Sequence, residues 1–150
     1  MAKMKKLYLT LNPHGGQQKG PKLLKQILPV LEAANLDLTI IETTFAGHAN
    51  ELAHQLDFDG YDGMIVIGGD GTMHEVVNGM LTRPDKKQLS IGLIPGGTGN
   101  SFMHDLELMN PIDAAKAIIG GNTRKIDVAE VKINHVTKYA FNIIGWGLVT

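Results

Sequence analysis

Short apolar runs alternate with amphipathic stretches along most of the chain. Leu7-Tyr8-Leu9-Thr10-Leu11 is a β-rich run that stops at Asn12-Pro13, and a glycine-containing loop follows through Gly20. Over 21–34, Leu24, Ile27, Leu28 and Leu31 recur at helical spacing, which predicts a helix. Pro21 suits its first turn, whereas Pro29 is expected to kink that helix or end it early. A strand follows over 38–41, then a helix over 46–56 with Ala49, Leu52, Ala53 and Leu56 on one face. Met64-Ile65-Val66-Ile67 is an unbroken apolar run, as in a strand buried on both faces. It leads into Gly68-Gly69-Asp70-Gly71-Thr72 and a helix over 73–81. The run 90–94 repeats the scheme, ending in Pro95-Gly96-Gly97-Thr98-Gly99-Asn100 before another helix. Asn110-Pro111 opens a further helix to 119, closed by Gly120-Gly121-Asn122. Then the pattern changes: 125–133 and 138–146 alternate as two strands joined by a tight turn near Asn134-His135.

Repeated strand–helix units predict an α/β fold, a three-layer doubly wound parallel sheet with right-handed crossovers. The last two strands read as the start of a different, antiparallel structure. The expected division is an α/β domain over 1–122 and the beginning of a β domain over 123–150. Because Thr150 falls within an apolar stretch and not in a polar linker, the expectation is a truncated chain or an incomplete gene product.

Composition changes this picture little. With 150 residues, 43% hydrophobic and 19% charged, the chain has the balance of a globular domain with a real core. Its net charge of −1 and the lack of any basic block beyond Lys3, Lys5 and Lys6 argue against nucleic acid as a partner. Cysteine is absent, which excludes disulfides and thiolate metal sites and is compatible with a cytoplasmic setting. No stretch resembles a secretory core or approaches the roughly 18 apolar residues of a membrane span, so the expected membrane contact is peripheral.

The chemistry is expected in three loops at the carboxyl ends of predicted strands, the edge where open α/β sheets bind ligands. In Gly68-Gly69-Asp70-Gly71-Thr72, glycines let the backbone approach an anion, and the next helix adds the positive end of its dipole. An acid inside such a cradle repels phosphate unless a Mg²⁺ bridges them or the carboxylate has a proton to take. Asp70 therefore reads as a metal-organising group or as a general base for a substrate hydroxyl. The plainer reading is a glycine-rich turn with Asp70 capping the helix. Pro95-Gly96-Gly97-Thr98-Gly99-Asn100 is a second cradle, where Thr98 or Asn100 can cap a helix or reach a phosphate or ribose. Asn12-Pro13-His14-Gly15-Gly16 supplies a third loop. Neither a Walker sequence nor a dinucleotide Gly-x-Gly-x-x-Gly is present, so phosphate would be held mostly by backbone.

Taken together, Asn12-Pro13, the Gly-Gly-Asp-Gly-Thr loop running into His74-Glu75-Val76-Val77-Asn78-Gly79, and Pro95-Gly96-Gly97-Thr98-Gly99-Asn100 resemble the diacylglycerol kinase and sphingosine kinase superfamily. The resemblance covers nearly the whole chain, with the motifs in order. It implies an ATP-dependent lipid kinase that transfers the γ-phosphate of Mg-ATP to a hydroxyl of a diacylglycerol-like or sphingoid lipid presented at a membrane surface. By that resemblance Asn12, Pro13 and Thr43 contact the nucleotide, and Gly68, Gly69, Gly71 and Thr72 form the phosphate loop. Glu75 lines the nucleotide site, and Gly96, Gly97, Thr98 and Asn100 form the second loop. Asp70 matches the aspartate that deprotonates the lipid hydroxyl and is the candidate contact to Mg²⁺ through ATP. The family places ATP between this domain and a C-terminal β-sandwich that holds the lipid. The run Trp146-Gly147-Leu148-Val149-Thr150 resembles a lipid-pocket strand ending in a functional aspartate, which would be the next residue.

Simpler roles stand beside these. His48, His54 and His74 lack the paired spacing of metal ligands, and His14 is the histidine nearest the expected phosphates. Met64, Met73 and Met80 read as packing residues, Trp146 as core, and Asp127 as a surface carboxylate. Two alternatives stay open: an NAD kinase-like phosphotransferase, which shares the Gly-Gly-Asp-Gly-Thr loop, and a non-catalytic nucleotide-binding regulatory domain. An exposed sheet edge would favour a homo-oligomer.

Overall fold

The computed structural model describes residues 5–141. Four parallel strands, β1 (Lys6–Leu11), β2 (Asp37–Glu42), β3 (Gly63–Gly68) and β4 (Ser90–Pro95), form one sheet in the order β2-β1-β3-β4. The register is continuous, with Leu9 opposite both Ile40 and Ile65, and Gly68 opposite Pro95. β1 and β3 are the central pair and are buried almost throughout, which is why their sequences are apolar without alternation.

Helices cover both faces, as the predicted three layers require. Helix α1 (Gly20–Ala33) packs with α5 (Pro111–Gly120) on one face, and α2 (His48–Gln55) packs with α3 (Asp70–Leu81) on the other. A short helix α4 (Ser101–Asp105) follows the β4 loop and drops Met103 into the core. Two strands, β5 (Ala129–Ile133) and β6 (Val136–Ala140), pair antiparallel in a separate small sheet that opens a second domain. Their turn at Asn134-His135 has positive φ at both residues, as a two-residue hairpin requires.

Several boundaries differ from the sequence reading. Helix α1 does not end at Pro29 but continues to Ala33. Pro29 and Lys25 are both exposed, so the carbonyl that loses its N–H partner is hydrated. Helix α2 begins at His48, because Gly47 at φ 90° breaks the helical path before it. Helix α3 starts at Asp70, three residues before the expected 73, which puts Asp70, Gly71 and Thr72 in its first turn. Strand β5 is shorter than 125–133, β6 begins at Val136 and not at 138, and residues 142–146 of the expected strand lie outside the described residues together with the rest of the Trp146 run.

One buried charge helps hold the α2–α3 layer together. Arg83 donates from Nη1 to the carbonyls of Ala53, His54 and Leu56, closing the C-terminal end of α2. Its Nε and Nη2 grip Asp85 in a two-pronged pair at 2.9 and 2.6 Å, and its guanidinium lies 3.9 Å over the Phe58 ring.

Candidate functional site

The strand order reverses between β1 and β3: the chain winds from β1 out to β2, then crosses back to β3 and on to β4. In a doubly wound sheet this reversal opens a crevice at the carboxyl ends of the two central strands. A cavity of about 30 Å³ lies there, lined by Asn12, Gly15, Gly20, Ile67, Gly68, Gly69, Thr72 and Gly96. It has room for one small group. Its walls are mostly backbone, and two helices bring their N-termini to it, α1 through Gly20 and α3 through its cap Gly69 and first-turn Thr72.

Each loop is held by its own asparagine. Asn12 Oδ1 accepts from the N–H groups of His14 and Gly15, both at 2.9 Å, fixing the turn after β1. Gly20 sits against the Asn12 carbonyl so closely that a Cβ there would lie 2.8 Å from it. In the second loop Asn100 uses its whole amide on Gly97: Oδ1 accepts from Gly97 N–H at 2.9 Å and Nδ2 donates to Gly97 C=O at 2.8 Å. Asn100 does this from a left-handed backbone at φ 51° and is buried.

The two glycine-rich loops also touch each other. Gly96 N–H donates to Gly68 C=O at 2.8 Å, extending the β3–β4 ladder by one bond. A Cβ on Gly97 would lie 2.5 Å from Gly69 Cα, and one on Gly69 would lie 2.8 Å from Gly97 Cα. Those two glycines are therefore needed for loop-on-loop packing. Gly71 is different: it is exposed, its φ is not positive, and a Cβ there would meet nothing within 4 Å. The fold itself does not require a glycine at that position.

Asp70 does not cap its own helix. The α3 cap is Gly69, with no side-chain bond. The Asp70 carboxylate instead accepts from Ser101 N–H at 2.9 Å and Phe102 N–H at 3.2 Å, the first N–H groups of α4. Asn100, at the cap position of α4, makes no capping bond because its amide is committed to Gly97. Asp70 thus supplies the α4 cap from another element, and its charge is met by backbone donors. That pairing lessens the repulsion expected of an acid within an anion cradle.

The crevice brings together Asn12, Gly68, Gly69, Thr72 and Gly96 from the sequence reading, and Pro13 follows directly, half-buried. Gly97 and Asn100 support the second loop from behind, while Thr98 is exposed at its tip. Thr43 and Glu75 do not line the cavity. Thr43 is buried beside it, its N–H donated to Leu11 C=O at 2.8 Å. Glu75 Oε1 accepts from Gly47 N–H at 3.2 Å, tying the β2–α2 loop to α3. Gly15, from the expected third loop, also lines the crevice, as do Gly20 and Ile67, which the sequence reading does not place there. The signal for Gly20 was its place just before Pro21, at a helix start.

Of the histidines weighed as metal ligands, His48 Nδ1 bonds Thr44 N–H at 3.0 Å and its ring stacks on the exposed Phe45, His54 pairs with Thr82, and the His74 ring lies 3.3 Å from Asn78 Nδ2. Among the described residues no three His, Cys, Asp or Glu side chains gather as a metal site, and no helix is long and apolar enough to cross a membrane.

A backbone-walled crevice at the switch point of a doubly wound sheet is the place where α/β domains of this class bind ligands. The chain belongs to the diacylglycerol kinase catalytic domain family, whose model matches residues 6–131. It is 36% identical to Sphingosine kinase 1 of Arabidopsis thaliana, over 99% of this chain and 33% of that protein. It is 35% identical to the Diacylglycerol kinase of Bacillus subtilis, over 98% of this chain and 47% of the relative. A crystal structure of a diacylglycerol kinase from Bacillus anthracis superposes with a TM-score of 0.77 at 34% identity, covering 93% of this chain and 46% of the other. The chain thus spans between a third and a half of these relatives' lengths.

Proposed function

We propose that this chain is the nucleotide-binding half of a lipid kinase, and that the β1/β3 crevice takes phosphate oxygens of Mg-ATP. The observation that carries the reading is the convergence of two helix N-termini on one crevice walled by glycine backbone. Gly71 adds support: a first-turn glycine costs helix stability of up to about 1 kcal/mol relative to alanine, and the fold gives no reason for it. A phosphate passing over that turn supplies the reason.

Asn12, Gly68, Gly69, Thr72 and Gly96 would hold the phosphates, with Gly97 and Asn100 shaping the second loop and Thr98 facing the nucleotide from its tip. Pro13 sets the path of the first loop. Thr43 and Glu75 act from the β2–α2 side, Glu75 by fixing that loop through Gly47. Mg²⁺, which characteristically takes one or two carboxylates with phosphate and water oxygens, fits a site with the single acid Asp70. Bound with the phosphates, it would neutralise charge developing on the transferred group.

Asp70 is the base for the acceptor. Each of its oxygens accepts one α4 N–H and keeps a further lone pair, so it can orient an incoming hydroxyl and take its proton. The acceptor class is a diacylglycerol-like or sphingoid alcohol, presented at a membrane surface to a chain that makes only peripheral contact with it.

Calorimetry of ATP binding to the chain with and without Mg²⁺, beside Asp70→Asn, tests this reading. Metal-dependent binding that weakens or loses its metal dependence in the variant supports an Asp70–Mg²⁺ link. Binding unchanged by the variant leaves Asp70 acting on the acceptor alone. A folded chain that binds no ATP overturns the assignment. ADP release with lipid and not with NAD as acceptor separates this reading from an NAD kinase-like one.

A further inference from the structure

Two contacts that join the β5–β6 hairpin and the residue after it to the α/β layers both lead to Asp70. The first is Asn78, a buried residue on α3 whose side-chain amide imitates a piece of strand alongside β6. Tyr139 N–H donates to Asn78 Oδ1 at 2.8 Å, and Asn78 Nδ2 donates back to Tyr139 C=O at 2.8 Å. Nδ2 also donates to His74 C=O at 2.9 Å, so both of its protons are used. The second point lies two residues further along. Phe141 packs edge-on against Phe102, with centroids 5.5 Å apart at 85°. Phe102 is the second residue of α4, and its N–H is one of the two that hold the Asp70 carboxylate.

These contacts close a ring. Asp70 begins α3, α3 carries Asn78, Asn78 fixes Tyr139, Phe141 abuts Phe102, and α4 returns to Asp70. Helix α4 has only five residues, so its direction depends on these few anchors and on Met103 in the core. The crevice loops, by contrast, carry their own clamps in Asn12, Asn100 and the Gly96–Gly68 bond.

We infer that Asn78 is a positioning residue for Asp70, holding the β5–β6 sheet so that α4 keeps the carboxylate in one orientation. The consequence for catalysis rests on the reading of Asp70 as the acceptor's base; the mechanical coupling does not. A group held by a second layer of contacts loses orientation when that layer is removed, while sites with separate supports keep theirs. Asn78 therefore acts on phosphoryl transfer through Asp70, whereas metal-free nucleotide held by the crevice loops keeps its affinity.

Site-resolved amide exchange on the whole chain, in the wild type, Asn78→Ala and Phe141→Leu, decides the matter together with ATP titration. Loss of the clamp is expected to speed exchange at Ser101 and Phe102 by about tenfold relative to Ile65 in β3, the scale of one lost hydrogen bond. The Asp70 carboxyl carbon resonance moves with it, and the dissociation constant of ATP measured without Mg²⁺ stays within about threefold. In a turnover assay at saturating Mg-ATP the same variants lower kcat about tenfold. Exchange that rises equally at Ile65, or that does not rise at Ser101 and Phe102, overturns the inference. Phe141→Leu carries the test if Asn78→Ala does not fold. A wild type that binds no ATP while showing the selective exchange would sink the nucleotide reading and leave this coupling standing.

Discussion

At the scale of single residues, the glycines divide by what surrounds them. Gly71 has open space around its missing side chain, so Gly71→Ala is expected to fold with stability raised by about 0.5–1 kcal/mol. If phosphate passes there, the same change weakens ATP binding at least about tenfold, since a methyl would displace backbone donors from an anion. Paired denaturation and titration curves check both halves. Gly97→Ala should behave in the opposite way, losing on the order of 2 kcal/mol of stability because its Cβ collides with Gly69 backbone that cannot swing aside. Arg83→Met, which strips three α2 carbonyls and the Asp85 carboxylate of their donor, is expected to destabilise by about 3 kcal/mol in urea unfolding. The loop glycines were legible in sequence because glycine at a strand–helix junction has few alternative uses. The partner of each was not. Asn100 looked like a cap and is a clamp on Gly97, since its own left-handed backbone turns the amide inward.

At the scale of elements, helix starts were the least legible feature. Helix α3 begins at Asp70 because Gly69 is extended while the next residues can already turn, so the loop seen in sequence is half loop and half first turn. The capping of α4 by Asp70 joins residues 31 positions apart, and the Asn78–Tyr139 pairing spans 61, distances over which periodicity carries no information. The end of α2 was equally hidden, closed by Arg83 from the far end of α3. That closure has a pH signature. The Arg83 guanidinium, with help from the Lys87 backbone N–H, holds the Asp85 carboxyl down at about 2. A folded-state value below the unfolded one means that the stabilisation is present above about pH 4 and is lost as pH falls towards 2. Unfolding midpoints measured across that window should fall more steeply for the wild type than for Asp85→Asn.

At the scale of the whole molecule, the alternation of strands and helices was enough to give the doubly wound sheet, and the sheet gave the crevice. What alternation leaves open is the strand order, and with order β2-β1-β3-β4 the switch point falls between the loop of Asn12 and the loop of Asp70. Because that crevice joins both halves of the sheet, a ligand in it should stabilise the entire fold. ATP at about 100 times its dissociation constant is expected to add about 2.7 kcal/mol, raising the midpoint of a thermal melt by roughly 5–10 °C. A melt unmoved by saturating Mg-ATP would argue that the crevice is empty architecture.

The contact of Gly69 with Gly97 also bears on how such a site can change over generations. Each glycine occupies the space that a side chain on the other would need, so neither position is free to vary while its counterpart stays as it is. Drift at one loop is blocked by the other, and relief requires the backbone of both to move together. A descendant can therefore lose or rebuild this pair of loops as one heritable unit, whereas Gly71, where an added Cβ would meet nothing within 4 Å, can change by itself and leave the fold in place.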